Sequence, residues 1–234
     1  MRVSLIGTVH EEAGLANVPA LRALLERITP DVIFLEIPPD AFDEHLDGSR
    51  SNLESTAVAR YRERHQVDLI PVDLPTPDAA FIWNHDELYR AMRHRSYEYC
   101  QLMSRHTQHV WNHGFAYLNS EYCNKLFSDV HEVTLTFIDQ TDRSFAEHYE
   151  FWTRTKERRE QHMMRSIEHY GEETSFGTGA FLVGAAHRRS FVDKSASHNS
   201  AGSSALHWDF DGFIEADARL RVANACTSPF GASA

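Results

Sequence analysis

The chain has 234 residues, of which 42% are hydrophobic, and it carries a formal net charge of -11 at neutral pH. This charge repels phosphate backbones and anionic lipid surfaces, so nucleic acid and acidic membranes are not expected partners. No apolar run reaches the length of a membrane span and no signal-peptide pattern opens the sequence, so we expect a cytoplasmic protein. The cysteines, Cys100, Cys123 and Cys226, show no CxxC spacing. This favours reduced thiols over a disulfide framework or a cysteine zinc site.

The first 75 residues alternate between strand-like and helix-like patterns. Apolar runs occupy residues 2–6, 32–37 and 69–73, and helical periodicity occupies residues 18–28 and 52–64. Near-continuous apolar strands separated by helices are typical of a parallel sheet that is covered on both faces. The pattern therefore predicts an α/β fold with a central, mostly parallel sheet flanked by helices.

The sequence changes character from about residue 84 to 170, where His, Tyr, Glu and Arg are frequent and Pro is absent. This composition predicts a large helical insertion. The run "GAFLVGAAH" then returns to a strand pattern, residues 195–204 are predicted to be a mobile loop, and "LHWDF" is a further candidate strand. We expect one α/β domain over residues 1–226 and a flexible tail over residues 227–234.

Polar side chains follow each predicted strand. His10 follows the first strand, Glu36 and Asp73 follow the second and third, and His187 follows the late strand. Because the carboxyl ends of parallel strands meet at one edge of a sheet, these four side chains are expected to converge on one ligand site. The alternative is that they are ordinary surface residues at strand ends, where loops are solvated.

The two outer histidines share a local pattern, "GTVH" and "GAAH", in which a glycine precedes the histidine by three positions. Gly7 and Gly184 would let each strand turn sharply or let a ligand approach the backbone without a Cβ in the way. Together with their neighbours Thr8 and Arg188, these glycines are predicted to contact the ligand.

Three charged residues lie where apolar neighbours surround them. Glu36 stands within "FLEIPP", so its carboxylate is expected to need a cationic or metal partner. Arg159 lies on a helical stripe with Trp152, Met163, Ile167 and Tyr170, so it is expected either to be paired or to extend its guanidinium to water. Glu54 shares a stripe with Ala57, Val58 and Tyr61, but Ser51 to Glu54 also fits a helix capping box.

These motifs, in this order, resemble the TraB, PrgY and Tiki group within the erythromycin esterase and ChaN-like superfamily. The resemblance rests on "GTVH", Glu36, Glu54 with Asp73, the "RExxM" run from Arg159, and "VGAAH", and it spans residues 5 to 187. It implies an α/β core in which both histidines, the glutamate and the arginine share a cleft. The sequence departs from the group at Glu160, where Asn or Asp is usual, and at Leu74, where Arg is usual.

The resemblance implies one of two hydrolases acting on a peptide, amide or ester bond of a peptide or small-molecule substrate. In the first, His10, Glu36 and His187 bind a divalent metal such as Mn, Co or Zn, which lowers the pKa of a bound water. Asp73 or Glu54 would then move the proton, and Arg159 would stabilise the oxyanion. In the second, a histidine acts as the base without a metal. A protein that binds a peptide or haem without catalysis is the third possibility.

The insertion carries a histidine stripe and a possible lid. His106, His109 and His113 are spaced by three and four positions, which suits either a second metal site or an amphipathic helix that packs its aromatic edges. The insertion would either cap the cleft, form a homodimer surface or cover the sheet as a helical layer.

Overall fold

The computed structural model describes residues 1–46, 51–75, 79–141, 143–200 and 206–227. Within these ranges five strands form one sheet, with every neighbouring pair parallel, in the order β3-β2-β4-β1-β5. The strands are β1 (Arg2–Thr8), β2 (Val32–Leu35), β3 (Asp68–Pro71), β4 (Thr178–Gly184) and β5 (His207–Asp209). The predicted α/β fold with a central parallel sheet is confirmed.

Helices surround this sheet. They are α1 (Val18–Ile28), α2 (Phe42–Leu46), α3 (Leu53–Arg62), α4 (Ala79–Arg95), α5 (Tyr97–Leu118), α6 (Glu121–Asp139), α7 (Arg143–Glu173), α8 (Arg188–Ser200) and α9 (Ala216–Thr227). Short 3-10 turns at Pro39–Ala41 and Ala185–His187 follow β2 and β4. In the part of the chain that the structure describes, no helix is both long and apolar enough to cross a bilayer.

Both faces of the sheet are covered, which explains the continuous apolar runs of its strands. One face packs Ile6, Ile33 and Leu182 against α1, α3, the end of α5 and α9. The opposite face packs Leu5, Phe34 and Phe181 against α7 and α8. A strand buried on both sides must be apolar at most consecutive positions, so the charged groups lie at the strand ends.

The helical insertion corresponds to α4 through α7, from residue 79 to 173. It has its own apolar cluster, which includes Leu88, Met92, Leu126 and Phe137. The 31-residue helix α7 links the two regions, because Tyr149 belongs to that cluster whereas Met163, Met164 and Ile167 pack on the sheet. The insertion is therefore tied to the sheet through one continuous helix.

Three local expectations need correction or lie outside the described residues. Residues 195–200 continue α8 instead of forming a mobile loop, and residues 201–205 lie outside the described ranges. The capping box of α3 is formed by Asn52 and Ser55, not by Ser51 and Glu54. The predicted strand in "LHWDF" is confirmed as β5, helix α9 continues to Thr227, and residues 228–234 of the predicted tail lie outside the described chain.

Two glycines allow the loop after β1 to contact a kink in α5 closely. Gly114 has a positive φ of 51° inside α5, and the carbonyl of Trp111 there accepts a hydrogen bond from the Leu15 amide at 3.0 Å. Gly14 also has a positive φ, of 56°. A Cβ on Gly14 would lie 2.3 Å from the Trp111 oxygen, and one on Gly114 would lie 2.4 Å from the Leu15 oxygen. The contact therefore requires glycine at both positions.

Replacing Gly114 with alanine should lower the free energy of unfolding by roughly 2 kcal/mol or more, because a strained φ is combined with a backbone clash. Gly171→Ala is the control. A Cβ on Gly171 in α7 meets nothing closer than 3.4 Å, so the stability should be unchanged or higher by up to about 1 kcal/mol. Urea unfolding followed by circular dichroism measures both. Equal destabilisation by the two substitutions would contradict the role given to Gly114.

Candidate active site

The strand order places the predicted site residues in a row along the carboxyl edge of the sheet. Asp73, Glu36, His187 and His10 follow β3, β2, β4 and β1, which are successive neighbours in the sheet. Strands β1 and β4 are paired with Thr8 opposite Gly184, so the two glycine-to-histidine elements lie side by side. The edge thus brings together residues from four distant parts of the chain.

Arg159 reaches this edge from α7 and pairs with two carboxylates. Its Nε donates to Asp73 Oδ1 at 3.0 Å, and its Nη2 donates to Asp73 Oδ2 at 2.5 Å and to Glu36 Oε1 at 3.0 Å. The Asp73 carboxylate is further held by the Leu74 amide at 2.8 Å. The expectation that Arg159 must be paired is confirmed. A planar guanidinium can serve both acids because its donors point in fixed, divergent directions.

Glu36 is held by three separate donors. The Gly184 amide donates to Oε2 at 2.6 Å, while Arg159 and His187 Nε2, the latter at 3.2 Å, both face Oε1. Burial would raise the pKa of Glu36, but the charge and hydrogen bond of His187, the Gly184 amide and the Arg159 charge lower it to about 2. Glu36 is therefore a fixed carboxylate anion.

His187 is a buried imidazole between two carboxylates. Its Nδ1 faces Glu160 Oε1 at 2.7 Å and its Nε2 faces Glu36 Oε1. Burial would lower the pKa of His187, but the charge of Glu36 and the hydrogen bonds from Glu160 and Glu36 raise it overall. The imidazolium form is favoured because both ring nitrogens then donate to an anion.

Sequence reasoning assigned no role to Glu160, although it is only 2% exposed. Its Oε2 accepts from Ser190 Oγ at 2.6 Å and from Lys194 Nζ at 3.0 Å. Burial would raise the pKa of Glu160, but His187, Lys156 and Ser190 lower it to about 2. Glu160, Met163, Met164 and Ile167 follow an i, i+3, i+4, i+7 pattern. A carboxylate on the buried stripe of α7 was thus the available signal.

His10 has the opposite environment from His187. Its side chain is 73% exposed, and its Nδ1 lies 3.3 Å from Oε1 of the buried Glu54. Thr8, itself buried, donates to the same Glu54 oxygen at 2.7 Å. The hydrogen bond to Glu54 raises the pKa of His10, with the charges of Glu54 and Glu36 adding to it against some loss of solvation. The carboxylate of Glu54 therefore serves the site and not the helix cap.

The remaining predicted ligand contacts have structural partners. The Gly7 amide donates to Asn119 Oδ1 at 2.7 Å and the Gly7 carbonyl accepts from Asn119 Nδ2 at 3.2 Å, which docks the end of α5 on β1. Arg188 is buried and faces Glu121 and the Phe210 carbonyl at 3.4 and 3.3 Å. Asn119 gave no signal in the sequence, because a helix C-terminal asparagine is common.

The histidine stripe of α5 packs on aromatic rings. His106 Nδ1 lies 3.2 Å from Tyr117 Oη, and the His109 ring stacks on Tyr117 at 5.0 Å and on His113 at 5.8 Å. Burial lowers the pKa of His106 to about 4 and also lowers the pKa values of His109 and His113. These contacts match the amphipathic-helix alternative.

The predicted metal ligands are only partly gathered. Among the described residues, no group of three or more His, Cys, Asp or Glu side chains is placed to hold a metal ion. Glu36 Oε1 and His187 Nε2 are 3.2 Å apart, which is about the separation of two donors that each lie ~2.1 Å from one ion. His10 instead faces Glu54. The spacing of Glu36 and His187 therefore suits one ion once His187 loses its Nε2 proton, and His10 is not placed to join them.

The buried pair of Glu160 and His187 predicts how stability depends on pH. Because the pKa of Glu160 is lowered, its contribution is present above pH 4.5 and is lost as the pH falls towards 2. Because the pKa of His187 is raised, its contribution is present below pH 6.5 and is lost as the pH rises through the raised value.

Glu160→Gln should lower the free energy of unfolding at pH 6 by roughly 3 kcal/mol, since a buried charge pair loses one partner. The free energy of unfolding should also depend less on pH at both the acidic and the basic end of the profile. Glu157→Gln, an exposed change on the same helix, should leave the profile unchanged. Urea unfolding across pH 2 to 9 measures both variants. A profile for Glu160→Gln that parallels the unchanged protein would disprove the coupling.

Comparison of the chain with protein-family models finds no match. No significant match is found among curated proteins or solved structures. The resemblance to the TraB, PrgY and Tiki group rests on the motifs alone, and the function must be argued from the geometry of the site.

Proposed function

We propose that this chain is a hydrolase of an ester, amide or peptide bond, with His10 as its general base. The observation that carries the proposal is the contact between the exposed His10 and the buried Glu54. An acceptor at Nδ1 places the ring proton there and leaves Nε2 as the basic nitrogen of a side chain that is 73% exposed. Thr8 fixes the Glu54 oxygen, so the ring is oriented before any substrate arrives.

Arg159 supplies the positive charge that such a reaction needs. Two of its nitrogens are bound to Asp73 and Glu36, and Nη1 makes no hydrogen bond within the described chain. The side chain is 26% exposed, so that nitrogen can donate to a substrate oxygen. A guanidinium already positioned by two carboxylates stabilises a tetrahedral oxyanion without further reorganisation.

The residues of this chain account for each proton transfer in the reaction. His10 Nε2 takes a proton from water while the water oxygen bonds to the carbonyl carbon, and the carbonyl oxygen gains charge against Arg159. When the intermediate collapses, His10 returns the proton to the leaving oxygen or nitrogen. His187 acts as a positioning residue in this scheme, because it holds Glu36, which in turn holds Arg159.

His10→Ala should reduce kcat for p-nitrophenyl acetate by ~10²- to 10⁴-fold and leave the fold intact, because the ring is exposed. Glu54→Gln should lower kcat. In a plot of kcat against pH, it should also shift the rising part of the curve to lower pH values. The reason is that Glu54 raises the pKa of His10 and the base must be neutral to act.

His169→Ala is the control for this series, since His169 is exposed on α7 and faces Glu172 and Glu173 on the same helix. Stopped assays over pH 5 to 9, with circular dichroism of each variant, give the result. Activity of His10→Ala within about twofold of the unchanged chain would rule out the proposed base.

A metal-dependent hydrolase is the second candidate, and one observation favours it. Glu160 contacts Nδ1 of His187, which is the position that a carboxylate takes behind a metal-binding histidine, and Nε2 then points to the Glu36 oxygen. Glu36 and His187 would hold the ion, with His10 as a third ligand after its ring leaves Glu54. Such an ion would supply a bound water with a lowered pKa.

Metal titration separates the two candidates. With His10 as the base, dialysis against EDTA should leave both turnover and the unfolding temperature unchanged, and added Mn²⁺, Co²⁺ or Zn²⁺ should not raise either. For the metal candidate, EDTA should abolish turnover, the metal should restore it, and Glu36→Gln should remove the metal-dependent rise in unfolding temperature. Elemental analysis of the purified protein accompanies both.

A further inference from the structure

We propose that the helical region binds an aromatic monoanion in a pocket between α4, α5, α6 and α7, with Lys156 as the counterion. Apart from Lys156, whose charge also acts on Glu160, the pocket is lined by residues outside the charge network of the candidate active site. Its volume is about 450 Å³, which lies within the range of small-molecule sites. Side chains that line it include Tyr89, Tyr99, Met103, Val130, Tyr149 and Trp152.

The lining of the pocket includes aromatic rings that contact one another. The Trp152 ring stacks on Tyr149 at 5.8 Å with an interplanar angle of 13°, and on His85 at 4.9 Å with an angle of 25°. His131 Nδ1 holds the Tyr149 hydroxyl at 2.6 Å, which fixes the orientation of that ring. A lining of aromatic rings held in fixed orientations favours an aromatic ligand, because edge or offset ring contacts and apolar burial act together.

The charge of the lining favours an anion. Arg93 and Lys156 line the pocket together with one carboxylate, Asp86, among the described residues. Cations therefore outnumber carboxylates by one in the lining, and the buried Glu160 lies 3.8 Å from Lys156 just outside it. A ligand carboxylate would therefore be attracted to the cationic side of the pocket.

Lys156 is placed to bind that carboxylate. Its Nζ donates to the Ala186 carbonyl at 2.8 Å, lies 3.8 Å from Glu160 Oε1 and lies 5.6 Å from the centre of the Trp152 ring. An ammonium group has three donors, and within the described residues the Ala186 carbonyl is the only hydrogen-bond acceptor of Nζ. A ligand stacked beside Trp152 can thus reach Nζ with its carboxylate.

The cationic end of the pocket lies beside the candidate active site. Ala186, which lines the pocket, directly precedes His187 in the turn after β4. A second, more polar groove of about 600 Å³ shares Phe127, His131, Lys156 and Ala186 with this pocket. If the ligand is the product or the acyl part of a substrate, that identification rests on the proposed hydrolase function. The binding site itself does not.

The test uses the full chain with 1-naphthoate, an aromatic monoanion, and 1-naphthamide, its neutral counterpart, in isothermal titration calorimetry. Naphthoate should bind at least about tenfold more tightly than naphthamide, because only the anion pairs with Lys156. Lys156→Met should weaken naphthoate binding by about tenfold or more and leave naphthamide binding unchanged. Arg154→Met is the control on the same helix, since Arg154 is exposed and pairs with Glu150, and it should change neither affinity.

Met103→Trp should abolish binding of both compounds by filling the pocket, and Val130→Phe does the same from α6 if the first variant fails to fold. The proposal is overturned if naphthoate shows no binding at roughly 10 mM, if the amide binds as tightly as the acid, or if Lys156→Met binds naphthoate like the unchanged chain. Naphthoate binding by His10→Ala should equal that of the unchanged chain. If the chain binds naphthoate but does not hydrolyse the ester, the binding site is supported and the hydrolase proposal is rejected. If it hydrolyses the ester but does not bind naphthoate, the hydrolase proposal is supported and the binding site is rejected.

Discussion

The pairing of Arg159 with Glu36 and Asp73 is the interaction on which the rest of the structure depends. Two carboxylates at neighbouring strand ends are taken out of water, and one guanidinium from a helix later in the chain satisfies both. Because an unpaired buried charge costs several kcal/mol, α7 can dock on the sheet only in the register that delivers Arg159. That register also fixes Glu160 under His187 and Lys156 beside Ala186.

The same local motif produces two histidines with different chemistry. His187 is buried and donates to two carboxylates, which favours its charged form and restricts its motion. His10 is exposed, and among the described residues its ring pairs with one carboxylate, that of Glu54. The difference between a buried, charged imidazole and an exposed one follows from burial together with the number of carboxylate partners, although both residues stand three positions after a glycine.

Helix α7 connects the aromatic pocket of the helical region with the charged residues at the sheet edge. Helix α7 carries aromatic residues of the pocket in its first half and Arg159 and Glu160 in its second half, so a ligand contact at Trp152 is about two helical turns from the charge network. Ala186, which lines the aromatic pocket, directly precedes His187 at the sheet edge. In this arrangement the helical region would determine ligand specificity and the sheet edge would supply charged groups.

Much of the site could be predicted from residues at strand ends, because the direction of a parallel strand decides which edge its last residue meets. The pairing of Arg159 was predictable for a related reason, since a cation on an apolar stripe needs an anion. The role of Glu160 was not predicted, although a carboxylate on the buried stripe of α7 requires partners. Asn119 could not be found at all, since its role depends on where the end of α5 docks on β1.

The sequence by itself therefore determined the α/β class, the helical insertion and the residues at the sheet edge, because these follow from hydrophobic periodicity over short ranges. The tertiary structure decided which charges pair, which histidine is buried and where the pocket lies. These properties depend on distances between residues far apart in the chain, such as Glu36 and Gly184, and no local pattern contains such distances.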